Sequence, residues 1–180
     1  MPDNNESNTL LGCDFDAETA KALNGKNIVA VVTDSTGQNL LAIAGQTGLD
    51  YNMKTETNEA ATKDDANGGF AIKFHGSKSW DASVDGLYSP DDAAAQMVAN
   101  ALMNDEYVCL KICERTKNQN GSVTYQPLRM GLAIVTSDNF SAPNDDNATY
   151  SMDFDGSGKP WMYETATAAE RTAAAWTVQP

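Results

Sequence analysis

The sequence is short of histidine, cysteine and positive charge, and each shortage removes a class of chemistry. His75 is the one histidine in 180 residues, and its Phe74-His75-Gly76 context offers no neighbour to orient an imidazole. Ser-His-Asp or Cys-His nucleophilic catalysis therefore has a single possible base and no local partner for it. With three cysteines and that histidine, no spacing suits a zinc site. Cys13, Cys109 and Cys113 cannot all pair. Cys109 and Cys113 are four apart on an expected strand, about 13 Å at strand rise, so free thiols are the expectation.

Lys and Arg number 12 against 25 Asp and Glu, a net charge of -13. Wrapping a phosphate backbone or coating an anionic membrane is disfavoured for such a chain, whereas an acidic wall would repel a duplex and let it slide past. Met1 to Glu6 has neither a basic nor an apolar leader pattern, and no later run is long enough to cross a bilayer. The expectation is a chain without a membrane anchor that stays in the cytosol where it is made. Asn-x-Ser/Thr triplets such as Asn120-Gly121-Ser122 then read as turns, not glycosylation sites.

What is present is mostly strand. Up to Ala20 there are five acids and no Lys or Arg, which suits an acidic arm (1–22) more than a packed element. Ile28 to Val32 and Leu40 to Ala44 read as a hairpin across a turn at 34–39, and Leu49, Tyr51 and Met53 alternate with polar residues as a third strand. Residues 55–69 are polar and end in Asn67-Gly68-Gly69, so they form either a long loop or a hairpin that needs a partner. Phe70, Ile72 and Phe74, then Trp80, Ala82 and Val84, read as two strands joined at His75 to Lys78. One helix is expected over about 90–104, with Ser89 as N-cap, Pro90 first, and Asp91 and Asp92 in the opening turn. Its stripe is Ala94, Met97, Val98, Ala101 and Leu102. Val108 to Cys113 and Val123 to Thr136 make a long hairpin around Asn120-Gly121. Tyr150, Met152 and Phe154 form a last strand, and 164–180 is an Ala/Thr-rich tail. The fold class is mostly β: an antiparallel sandwich or barrel with one flanking α-helix, its main domain over 23–163.

Asp153, Asp155, Ser157 and Glu164 match the spacing of a calcium loop, but the segment before them alternates as a strand and Pro160 removes a backbone donor. A Gly-rich turn leaving a strand fits better, and no metal or other cofactor is expected. Gly156-Ser157-Gly158-Lys159 lacks the earlier glycine and the Ser/Thr of a phosphate loop. No pair of carboxylates is set among aromatics as in a sugar-cleaving cleft. Trp80, Trp161 and Trp176 read as core or interface anchors. The chain is not expected to be an enzyme.

Four segments together resemble the major tail (tail tube) proteins of long-tailed bacteriophages. They are Leu23-Asn24-Gly25-Lys26, the stretch from Lys54 to Asp65, the strand Ser79-Trp80-Asp81-Ala82-Ser83-Val84-Asp85-Gly86-Leu87-Tyr88, and the helix after it. The resemblance covers about 23–154. It implies a fold shared with type VI secretion tube proteins and a subunit that assembles with itself into stacked rings, usually hexameric, forming a conduit for DNA ejection. It further implies other tail proteins as partners (tape measure, terminator and distal tail proteins), double-stranded DNA passing without specific binding, and a place in the virion tail after assembly in the bacterial host cytoplasm. On this reading Thr55, Glu56, Glu59, Lys63, Asp64 and Asp65 are candidate assembly-interface residues. A carbohydrate- or calcium-binding β-sandwich module using Asp153, Asp155 and Glu164 is the alternative, and an acid-pair hydrolase a more distant one.

Overall fold

The computed structural model describes residues 23–33, 40–60 and 71–178. The acidic arm, the turn at 34–39 and the candidates Lys63, Asp64 and Asp65 lie outside them. Among the described residues eight antiparallel strands form one sheet: β1 (Ile28–Thr33), β2 (Leu41–Ala42), β3 (Gln46–Ala60), β4 (Ile72–Leu87), β5 (Tyr107–Lys117), β6 (Val123–Ser141), β7 (Thr149–Met162) and β8 (Trp176–Val178). Their order is β2-β1-β5-β6-β7-β4-β3, with β8 on β6. The sheet does not close into a barrel. Its ends approach where the Gln46 side chain accepts from the Ala30 N–H (2.7 Å) and donates to the Ala30 and Ile43 carbonyls (2.8 Å each). One amide side chain there does what a strand ladder would do.

Period-2 burial builds the core. Ala82 and Val84 of β4, Val108 and Leu110 of β5, and Tyr150, Met152 and Phe154 of β7 turn inward with Ala30 and Val32 of β1. Each large buried side chain of this kind is worth about 1.5–3 kcal/mol. Helix α1 (Ala93–Met103) covers this face with Ala94, Val98 and Ala101, small residues that let its backbone come close. A second cluster on the opposite face, Val29, Val31 and Cys113, is roofed by Tyr125 and Trp176. Burial pushes the Cys113 thiol up to about 12.

Three expectations change. The helix starts at Ala93 and not at Pro90: Ser89 to Asp92 is a turn closed by the Asp92 N–H on the Ser89 carbonyl (3.3 Å), and Asp92 is the N-cap. One Asp92 oxygen accepts from the Ala94 N–H (3.0 Å) and the other from the Ala44 N–H (2.9 Å), so the cap also ties the helix to the segment after β2. At the far end Asp105 takes φ 55° in place of the usual glycine, and the Glu106 N–H closes on the Ala101 carbonyl at 2.9 Å. Second, His75 to Lys78 is no turn. Residues 72–87 are one strand with an irregularity opposite Thr55/Thr57, because residues 54–60 offer it a continuous partner. Third, the tail folds back. Helix α2 (Ala168–Ala174) opens with a Thr167/Glu170 capping box, and β8 pairs with Val123–Tyr125 of β6. Trp176 stacks on Tyr125 at 5.2 Å.

Trp80 is the tightest fit in the core. Its ring lies across Gly131 and Gly156, with no room for a Cβ at either. Its indole N–H donates to the Gly158 carbonyl (3.0 Å), and Tyr51 stacks on it at 5.7 Å. Gly156→Ala forces the ring or β7 to shift and is expected to destabilise the fold by about 1–3 kcal/mol. Urea unfolding of the variant beside the parent measures this, and an unchanged midpoint would show that the saddle under Trp80 is not needed.

Candidate assembly interface

Strand alternation that sends Trp80, Ala82 and Val84 inward sends Asp81, Ser83 and Asp85 to the opposite face, and the same holds for Ser151, Asp153 and Asp155 around Met152 and Phe154. Register then sets these rows side by side. Asn52 faces Asp81, which faces Asp155; Asp50 faces Ser83, which faces Asp153. Asp50, Asp81, Asp85, Asp153 and Asp155 thus share one face of β3, β4 and β7. Like charges directly opposite, as at Asp81 and Asp155, cost stability. Local partners offset part of this: Asp81 accepts from the Asn52 amide (2.9 Å) and the Lys54 ammonium (3.0 Å), and Asp153 from the Ser137 hydroxyl (2.5 Å). Beside the acidic field, Tyr107 pairs with Ile134 across β5 and β6, both exposed, next to exposed Leu132.

Two strand edges flank this face. Among the described residues β3 is paired on one side only, with β4. The β5 ladder on β6 ends at the Tyr107–Ile134 pair, so Val135 to Ser141 of β6 pairs with β7 alone. The four-stranded portion β6-β7-β4-β3 therefore ends in unpaired backbone on both sides, the arrangement that adds a strand from another chain most readily.

Beyond the Asp81–Asp155 pair, β4 keeps only β3. Residues 54–60 and 72–79 form a two-stranded arm, a structure that is marginal in water without a partner. Thr55, Glu56 and Glu59 come together on its outer strand: Thr55 faces Lys78, Glu56 accepts from the Ser77 hydroxyl (2.5 Å), and Glu59 pairs with Lys73 (3.1 Å). His75 is exposed on the same arm, and Met53 and Phe74 expose about half their surface near it (47% and 54%).

The calcium-loop spacing does not fold into a loop. Asp153, Asp155 and Ser157 lie along β7, the first and last about 13 Å apart at strand rise. Glu164 sits beyond the strand, in a 3-10 turn, where it binds Arg129 at 2.5 Å. Among the described residues no three His, Cys, Asp or Glu are grouped to hold an ion. Sequence reading missed the free half of β6, whose strand was expected to end at Thr136, and the Arg129–Glu164 pair that anchors the tail. Only the register reveals either.

A family model described as phage tail tube protein matches residues 22–161. No curated protein sequence matches the chain. The fold is similar to that in the tail of an empty gene transfer agent (GTA) particle refined with C6 symmetry, at 19% identity and TM-score 0.62, covering 78% of this chain and 98% of that one. The native GTA virion gives 16% identity and TM-score 0.59, covering 78% and 98%. The SPP1 tail tube gives 16% and 0.56, covering 76% and 77%. At these identities the likeness is one of fold.

Asp81 shows how local partners act against the acidic field. The Asn52 hydrogen bond first, then that of Lys54, holds its carboxyl below the ordinary value of 3.8. A depressed carboxylate stabilises the fold above its unfolded pKa, and that contribution fades as pH falls through the lower folded value. In an NMR titration Asp81 should therefore protonate below pH 3.8, and Asn52→Ala should move it upward. No movement would remove Asn52 as the principal cause.

Proposed function

The chain belongs to the phage tail tube protein family, and on that premise we propose that six copies close into a ring, and rings stack into a tube, with the acidic face of β3, β4 and β7 turned to the bore. The chain is a tail tube subunit of a phage-like tail, a structural protein and not an enzyme. The observation that carries the proposal is the pair of unpaired edges on either side of that face. The outer edge of β3 in one copy meets Val135 to Ser141 of β6 in the next, and both sets of backbone groups are satisfied by β-augmentation. Six-fold closure follows the C6 symmetry of the gene transfer agent tail whose fold this chain resembles. Four strands from each of six copies, spaced about 4.8 Å and tilted about 40°, close a barrel about 48 Å across. Side chains reduce that to about 40 Å, wide enough for a DNA duplex.

The charge fits the same use. A bore lined by Asp50, Asp81, Asp85, Asp153 and Asp155 repels phosphates, so DNA passes without being held. The arm at 54–60 and 72–79, with the candidates Thr55, Glu56 and Glu59 and the further ones Lys63, Asp64 and Asp65, orders against the adjoining ring and pays its entropy at assembly. Tape-measure, terminator and distal tail proteins are the partners at the bore and ends, and assembly takes place in the host cytoplasm.

Electron microscopy of the concentrated protein should show six-fold rings or tubes. Proline at a β3 position whose N–H points away from β4 leaves the β3–β4 ladder intact and should abolish them while circular dichroism stays unchanged. A parent protein that stays monomeric even with its tail partners, or a proline variant that still forms rings, would contradict the proposal.

A further inference from the structure

An open groove of about 830 Å3 runs between β1 and the β2–β3 connection. Its lining is mixed: Ile28, Val29, Ile43 and Leu49 alternate with polar stretches that include Gln46 and Thr47, and Lys26 and Arg115 stand on it. Among the described residues neither cation has an ion pair; the three ion pairs there use Lys54, Lys73 and Arg129. In a chain of net charge -13, a groove lined by two cations and no Asp or Glu stands out as a place for an anionic segment.

We propose that this groove is the docking site of the acidic segment 1–22 of the same chain. The complementarity is chemical: the segment holds Asp3, Glu6, Asp14, Asp16 and Glu18, with Leu10, Leu11 and Phe15 among them, so it offers anions for the two cations and apolar side chains for the walls. The reach is short. The described chain enters at Leu23 and passes straight into the Gly25–Asn27 turn, whose Gly25 and Lys26 form the groove's rim. Phe15 is eight residues upstream of Leu23, so a reach of up to about 27 Å is available. Tethering at that range gives an effective concentration of the order of millimolar, enough for weak contacts to hold.

The docking itself is tested in the unassembled protein, so its failure is separate from any failure of the ring reading. Cys13 already lies in the segment. In the full chain carrying Cys109→Ser and Thr47→Cys, mild oxidation should join Cys13 to the introduced thiol within one chain. Lys26→Glu with Arg115→Glu should slow that reaction about fivefold, and adding Asp14→Lys with Asp16→Lys should restore it. Raising NaCl to about 0.5 M should slow the singly cross-linkable parent in the same way, without any groove substitution. A crosslink found only between chains would assign the groove to a neighbour's segment and overturn the proposal. A rate indifferent to both charge reversal and salt would overturn it too.

Discussion

A strand paired on one side leaves the N–H and C=O of every second residue, those on its other side, without a ladder partner, and among the described residues β3 carries that condition along its 15 residues. The rest of the structure is arranged around where such edges are closed and where they are left open. β8 takes the place beside Val123 to Tyr125 that β7 has left free, and the Gln46 amide satisfies Ala30 of β1 at the seam. Those two devices use a short strand and a single side chain. No strand pairs with the outer side of β3 or with the second edge of β6 from Val135 to Ser141 among the described residues. Among the described residues these two edges, on either side of the acidic face, stand open to a strand from another chain.

The same face sets electrostatics against stability. Five aspartates on adjoining strands do not help a monomer fold, and the opposed Asp81 and Asp155 work against it. Lys54, Asn52 and Ser137 relieve individual carboxylates without cancelling the field. What holds the face in place lies behind it: the Trp80 ring on its glycine saddle, Tyr51 on the ring, and Arg129 over the Tyr51 ring at 5.8 Å. Arg129 also reaches Glu164, so the base of the arm and the anchor of the tail share one cluster. The tail, 163–178, is beyond the family match at 22–161, yet it roofs the second hydrophobic cluster with Trp176.

Where burial follows the strand period, the sequence was legible. Leu49/Tyr51, Trp80/Ala82/Val84, Val108/Leu110/Ile112 and Tyr150/Met152/Phe154 all alternate, and the strands lie where alternation puts them. The polar stretch from Thr55 could be read as loop or hairpin, and its first residues are strand because β4 runs past His75 to meet them. The helix start was misread because Ser89 and Asp92 both suit an N-cap. What separates them is the Ala44 N–H, 48 residues away, and no local rule sees it. The tail was missed because its Ala and Thr residues carry little hydrophobic signal and its fold depends on Tyr125 and Gln126, the latter donating to the Arg171 carbonyl at 3.2 Å. Around the candidate interface, placement along the chain was legible and lateral arrangement was not. Thr55, Glu56 and Glu59 do gather on one arm strand, whereas the acidic face is made by register between residues up to about a hundred positions apart.

The central claim is that the outer edge of β3 and Val135 to Ser141 of β6 become one ladder between copies. Hydrogen exchange of the free subunit against the assembled tube tests it residue by residue. The account predicts new protection at the outward N–H groups of β3 and of β6 from Val135 to Ser141, with the β1–β5 ladder unchanged. Tubes that form while those two edges exchange as fast as in the free subunit would contradict it.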